Sequence, residues 1–399
     1  MKPLHWMLQR IAALTAFLAI TGCVRADNFL VLPFFNLSSD RNLDWIGDSL
    51  AESIRDALAS EGLVALDRPA RNDAFERLSI QPYTVLTKAT VVKIGQELDA
   101  EEVIYGSFQV TPVDNGREKS RGSLQVSAYV LDLKHMKQGS QFGELGPLED
   151  LSSLQRHLSW TTLQVVMGKR APYEAEFSRR HPAVRVDAME NYIRGLAVTN
   201  LSEKHRLFTQ AVRLDSHFTQ PCFELGKLDM ARKEFRSAAE WFQKVTPDDV
   251  HYREATFFLG LSLYYIGDFL NAKLAFQSVA AVVPLNEVLN NFGAAESRRN
   301  EPEAVDSFKK ALDGDESDPT YHFNVGYALW KQARFEEAAN RFRAVLDRNP
   351  KDEEARALLE RCLKRSGPRP GDTKTEGLER VKTNYSESAW WQLKAALSK

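Results

Sequence analysis

Cysteine is nearly missing from these 399 residues: Cys23, Cys222 and Cys362 are all there are. Three cysteines build no disulfide framework, and no CxxC pair or zinc-ligand spacing occurs among them. An excess of one charge is missing too. The 52 Lys and Arg against 54 Asp and Glu leave a net charge of −2, so no global basic field points to nucleic acid. The phosphate-binding GxxxxGK[ST] loop, the dinucleotide GxGxxG, the zinc-protease HExxH and the hydrolase GxSxG do not occur. The eight histidines are scattered and none sits in metal spacing. The sequence therefore nominates no catalytic residue, no cofactor and no metal. What remains is ordinary globular material, 43% hydrophobic and 27% charged, with room for two or three domains.

The first residues have the pattern of an export signal. Lys2 and Arg10 give a positive start, and the apolar run 11–20 is too short to span a membrane. Ile20-Thr21-Gly22-Cys23 resembles the lipobox of bacterial lipoproteins, in which the cysteine is lipidated and becomes the new amino terminus. Val24-Arg25-Ala26 competes with it by offering small residues to an ordinary signal peptidase, and an uncleaved anchor is the third reading. Cys222 and Cys362 fall far apart in the second half and are expected as buried, unpaired thiols.

What is present in the second half is a rhythm. Gly226, Gly260, Gly293 and Gly326 recur at separations of 34, 33 and 33 residues. Ala238, Ala272 and Ala338 follow three of them by twelve, with Ala304 one residue early in the other. Phe242, Phe276, Phe308 and Phe342 each come four residues later. Self-similarity at this period marks an array of helix–turn–helix units. The glycine of each first helix should let the second helix approach, with the alanine and phenylalanine filling the contact. Pro284 and Pro350 stop their units where a helix must end. The pattern closely resembles the tetratricopeptide repeat. A shortened earlier unit surrounds Tyr192 and Gly195, with Phe208 and Ala211, and residues 352–366 supply a capping helix. About five repeats are expected over residues 185–366.

Such arrays present extended concave surfaces lined by first helices. By spacing, Phe223, Lys227 and Met230 look inward. So do Phe257, Leu261 and Tyr264 in the next repeat, Asn290, Ala294 and Arg298 in the fourth, and Phe323, Tyr327 and Trp330 in the fifth. An aromatic groove carrying Lys227 and Arg298 suits an extended peptide or a partner helix. Phe223 and Lys227 occupy the place where some chaperone-binding repeats hold Lys and Asn for a chain-end carboxylate, so a free carboxylate is not the obvious ligand.

The first half reads differently. Residues 28–36 form an apolar strand run, and Ile46, Leu50, Ile54 and Leu58 make one helical stripe. Strand 63–67, helix 70–79 and a helix capped by Thr87 follow. A strand over 103–108 then pairs, across an exposed loop containing Asn115-Gly116, with the alternating Leu124, Val126, Ala128 and Val130. A helix over 150–166 closes an α/β domain with a mixed sheet. The segments VLPFFNLSSDRNLDWIGDSLAESIRDAL, IGQELDAEEVIYGSFQV and SLQVSAYVLDL resemble the amino-terminal domain of TolB-type proteins. Similar domains occur in adenylate-cyclase-associated repeat proteins and in curli-export and flagellar-lipoprotein families. The resemblance implies an envelope role, by analogy alone. It departs after Asp132, where Leu133-Lys134-His135-Met136-Lys137 replaces the family's Thr-Gly turn. Asp40, Asp44, Asp48 and Glu52 invite a metal or general-base reading; helix capping and a solvated acidic face are the expectation.

The expected class is thus α+β: a signal over 1–26, a TolB-like domain over 27–168, a charged linker over 169–184, an all-α repeat superhelix over 185–366 and a flexible tail over 367–399. Residues 367–376 have the composition of a linker. Trp390, Leu393 and Leu397 share one face of a short tail helix, which either docks on the array or anchors to a partner or a membrane interface. The expected function is an exported, periplasmic or outer-membrane-anchored scaffold that binds protein or peptide partners through its repeats, with no role for nucleic acid. The alternatives are a small-molecule sensor with its ligand in the α/β domain and an envelope enzyme built on the acidic helix.

Overall fold

The computed structural model describes residues 28–112, 122–369 and 371–387. Cys23, the hairpin tip at Asn115-Gly116 and the Trp390 helix lie outside them. The described residues divide into two compact units. Those up to Leu148, with His157–Ala171, make one; Glu149–Arg156 and Pro172–Glu387 make the other.

In the first unit β1 (Asn28–Val31) lies between β3 (Val64–Ala65) and β4 (Glu102–Thr111), parallel to both. The apolar run is broken near Pro33, and β2 (Phe35–Asn36) resumes pairing further along β4. Strand β5 (Ser123–Asp132) returns antiparallel to β4 in full register. The sheet is therefore mixed. Its outer antiparallel strands, β6 (Lys137–Gln138) and β7 (Phe142–Pro147), both pair with β5. Sequence pattern missed β7, because Gly143, Glu144 and Gly146 dilute its alternation. Gly143 is required there: an added Cβ would sit 1.9 Å from the Val126 carbonyl oxygen.

Helix Trp45–Ser60 buries Ile46, Leu50, Ile54 and Leu58 at 1% exposure or less. Helices Arg68–Arg77 and Lys88–Glu97 place Ala74, Val91 and Ile94 in one core with Leu30, Leu32, Val103 and Leu131. Thr87 caps the second of these by accepting from the Thr90 amide. The 133–137 segment closes a tight turn without glycine. Asp132 Oδ1 accepts from the His135 amide at 2.9 Å, and Met136 takes φ 53°, the left-handed conformation a glycine would adopt without strain.

The acidic helix is not the solvated face expected from its spacing. Asp48 and Glu52 are 4% and 6% exposed. Arg68 and Arg71 approach Asp48 at 3.4 and 3.3 Å, Arg55 and Arg68 approach Glu52 at 2.9 and 3.2 Å, and Tyr83 Oη donates to Asp48. The neighbouring helix Arg68–Arg77 brings the arginines over these carboxylates, and buried charges persist only when so paired. Asp44 accepts from Asn36 at 2.8 Å, and Asp40 caps a short 3-10 turn. These carboxylates are committed to structure.

The second unit is the expected array. Its helix pairs are Val186–Ala197 with Leu201–Leu214, Gln220–Ala231 with Phe235–Phe242, Tyr252–Tyr265 with Phe269–Ala280, Asn286–Arg298 with Ala304–Gly314, and Pro319–Lys331 with Phe335–Arg348, and Glu353–Leu363 follows. The glycine–phenylalanine logic is literal. A Cβ on Gly226, Gly260, Gly293 or Gly326 would meet the ring of Phe242, Phe276, Phe308 or Phe342 at 2.6, 2.8, 2.9 and 3.1 Å. Gly195 and Phe208 do the same at 2.5 Å. Turns between paired helices pass through φ 63° at Lys233, 86° at Gly267, 58° at Asn300 and 60° at Ala333. The stretch expected as a linker contains helix Glu174–Arg180, anchored by Phe177 at 1% exposure.

Candidate functional site

The first helices of repeats three to five share a face, and the chain's own residues 375–387 lie along it. Three buried asparagines hold that segment by its backbone. Asn324 Oδ1 accepts from the Arg380 amide at 2.9 Å, while its Nδ2 donates to the Arg380 carbonyl at 2.8 Å. Asn291 repeats the arrangement on Lys382, at 2.8 and 2.7 Å. Asn290 adds a bond to the Arg380 carbonyl and accepts from Asn324 at 2.7 Å. All three are 0% exposed. In an extended chain alternate residues direct both their N–H and C=O to the same edge. Two asparagines one repeat apart, Asn291 and Asn324, thus grip residues two apart, whatever their side chains.

The side chains of the segment are also matched to the groove. Arg380 lies over the Phe323 ring, 3.5 Å from its centroid, and makes bonds of 2.7 and 2.8 Å to the two Asp352 oxygens, with Glu354 at 2.8 Å. Lys382 pairs with Asp318 and sits over Tyr321. Asp318 and Asp352 are N-cap residues of their helices, accepting from the Thr320 and Ala355 amides. Each therefore receives a cation and a helix end together. On the other side of the strand, Glu379 is buried, accepting from Ser297 at 2.7 Å with Lys331 at 3.6 and Arg298 at 4.0 Å. Burial depresses the Lys331 amine, and Glu379 opposes that shift. Val381 packs into the cores of the last repeats. Tyr385 tilts against Phe257 with ring centroids 5.1 Å apart, and Glu387 meets Arg253.

Seven of the proposed inward-facing residues meet the chain's own carboxy-terminal stretch or share a cluster with it. Asn290, Phe257, Phe323 and Arg298 do so as described. Tyr327 Oη donates to the Thr375 carbonyl at 2.6 Å, Trp330 Nε1 donates to the Ser366 carbonyl at 2.8 Å, and Tyr264 packs against the same core cluster as Val381. Trp330 and Tyr327 are 0% and 1% exposed. The remaining five behave otherwise. Phe223 is 2% exposed and stacks on His251 at 4.5 Å, and Lys227 sits over its ring. Leu261 is core, Met230 packs between two core clusters, and Ala294 is core. Residues 367–376, expected as a linker, are tied down in part. Thr375 is 4% exposed and Asp372 pairs with Arg361 at 3.1 Å.

Sequence reasoning missed Asn291, Asn324, Ser297, Asp318, Lys331 and Asp352. A signal existed. Asn291 and Asn324 each stand two residues before the repeat glycine, polar residues inside an apolar helix start. Asp318 and Asp352 are 34 apart, one repeat.

Among the described residues no cluster of His, Cys, Asp and Glu is placed to hold a metal, and no helix is long and apolar enough to cross a membrane. No family model matches the chain, and no curated protein does. Solved structures similar to it are tetratricopeptide-type proteins. MamA from Desulfovibrio magneticus RS-1 is 20% identical, covering 43% of this chain and 99% of that one at a TM-score of 0.39. YrrB, described as a TPR protein with an unusual peptide-binding site, is 18% identical, covering 48% and 91% at 0.35. Pseudomonas aeruginosa PilF is 17% identical, covering 45% and 83% at 0.37.

Proposed function

We propose that this protein is an exported envelope scaffold that binds extended segments of other proteins along the inner face of its repeats. The observation that carries the reading is the pair of asparagines, Asn291 and Asn324, that bond both backbone groups of alternate residues in a docked strand. Side-chain amides that satisfy backbone N–H and C=O give affinity without demanding one sequence, as strand addition to a sheet edge does. The flanking Asp318, Asp352 and Lys331 then add charge selection. The mixed-sheet domain, by its resemblance to TolB-type domains, serves as a second interaction or assembly module. Lipidation of Cys23 holds the whole at a membrane.

A photocrosslinking residue in place of Lys227, at the exposed rim of the array, tests this in cells. A discrete protein adduct in envelope fractions supports the scaffold. Its absence in every fraction, also when the docked strand carries Arg380→Glu, counts against it. Cys23→Ser should release the protein from membranes; unchanged membrane association removes the lipid anchor from the proposal.

A further inference from the structure

The groove that would receive a partner is filled by the chain itself. The geometry points to residues 375–387 as an internal stand-in for the partner's segment, one that closes the groove in cis and whose chemistry specifies what displaces it. This rests on the peptide-binding reading and adds to it the occupant, the competition and the partner's charge order.

Three observations carry it. The contacts are those of a ligand, not of a capping element. The strand crosses three successive repeats, from Thr375 on Tyr327 through Arg380 and Lys382 on Asn324 and Asn291 to Tyr385 on Phe257. Its alternating side chains enter wells of opposite charge. Glu379 meets Lys331 and Arg298 on one side, and Arg380 and Lys382 meet Asp352 and Asp318 on the other. Its tether is short. Helix Glu353–Leu363 ends twelve residues before Thr375, and a short link gives an effective concentration on the order of millimolar.

A competitor must therefore match the strand. It needs free amides at the two positions the asparagines hold, which excludes proline there. It needs an acidic residue, then Arg, an aliphatic residue and Lys, with an aromatic three further on. A segment lacking this order meets the cis strand at a disadvantage set by the closed fraction of the groove.

The probe is a fluorescein-labelled peptide of residues 374–387, titrated by anisotropy into the full chain and into full chains carrying Arg380→Glu or Lys382→Glu. Both substitutions put a carboxylate against Asp352 or Asp318, and both sit on partly exposed tail residues, so the array should keep its helix content and melting temperature. The parent should bind the peptide weakly, and the two variants at least about tenfold more tightly, because the cis competitor is gone. Adding Asn324→Ala to the Arg380→Glu chain should abolish binding. A peptide that itself carries Arg380→Glu should bind neither variant.

Equal affinity for the parent and both variants would overturn cis closure while leaving the groove reading intact. No binding to any of the folded chains would overturn both. Equal binding of the charge-reversed peptide would remove the proposed charge order. A parent that dimerises with concentration, and loses the dimer on Arg380→Glu, would overturn cis closure in favour of strands exchanged between copies.

Discussion

Asn324 and Arg380, 56 positions apart, exchange a reciprocal pair of hydrogen bonds, amide to Oδ1 at 2.9 Å and Nδ2 to carbonyl at 2.8 Å. A buried asparagine so paired contributes modestly, about 1 kcal/mol for each bond. Leaving it unpaired away from water costs about 1–3 kcal/mol. Burial without a strand or water over it is thus unfavourable, and the groove is built to be occupied.

The docked strand should respond to acid. Arg380 holds the Asp352 carboxyl below its ordinary 3.8. Burial pushes the Asp318 carboxyl up, but Lys382 and the Thr320 amide bring it below 3.8. Carboxylates depressed by docking contribute above their undocked value and lose that contribution as pH falls through the lower docked one. Docking should therefore be constant from neutral pH to about 5 and weaken below about 4. Anisotropy of a dye at the exposed Thr383, with circular dichroism followed in parallel, reads it. A flat profile down to the pH of unfolding would remove these ion pairs from the energetics.

Gly226→Ala sets two effects against each other. Alanine gains about 1 kcal/mol of helix propensity, while overpacking a buried ring costs about 1–3 kcal/mol. At Gly226 the added Cβ meets three atoms of Phe242 within 2.7 Å, whereas at Gly326 the nearest atom of Phe342 is 3.1 Å away. Overpacking should win at Gly226, and the two terms should nearly cancel at Gly326. Denaturant midpoints of the two variants decide it.

Ala333→Gly should stabilise the fifth repeat. Ala333 is exposed and holds φ 60° where the third repeat has Gly267. The left-handed conformation costs an L-residue about 1–2 kcal/mol, and glycine's extra unfolded entropy returns roughly half of that. A rise in stability of about 0.5 kcal/mol is expected in chemical denaturation. A fall would mean that the turn does not pass through that conformation.

Glu52→Ala should be among the most damaging single changes in the sheet domain. Burial raises the Glu52 carboxyl, yet Arg55, Arg68 and Arg71 together pull it below its ordinary 4.5. Removing it leaves Arg71, 5% exposed at its side chain, with Asp48 as its remaining carboxylate beside the neutral Asn72 side chain. Breaking a buried pair in this way costs about 3–5 kcal/mol. Thermal unfolding of the variant should show one lowered transition; a loss under about 1 kcal/mol would mean water reaches the cluster.

Cys222 and Cys362 are free and buried, and burial raises both thiols to about 11. The thiolate is the reactive form. At pH 8 iodoacetamide should leave both unmodified in the native protein and label both after denaturation. Native labelling of either would place it nearer water than the packing does.

The sequence by itself determined the array. The spacing of Gly226, Gly260, Gly293 and Gly326 with their phenylalanines encodes contacts inside each repeat, between residues about 16 apart in the chain, and local contacts are legible as periodicity. It placed the sheet domain's main strands along the chain and set the face of helix Trp45–Ser60 for the same reason. What only the tertiary structure decided were the long-range pairings. The carboxylates at Asp48 and Glu52 were legible as a helix face, but their burial depends on arginines from another helix, Arg68 and Arg71. Strand β7 exists because β5 offers it an edge. Trp330 and Tyr327 were legible as inward-facing, yet what covers them comes from Ser366 and Thr375. No period links Arg380 to Asn324 or Asp352 to the tail, because a strand that lies across repeats answers to their surface and not to its own repeat. The groove could be read from the rhythm; its occupant appeared only when the chain was folded back upon it.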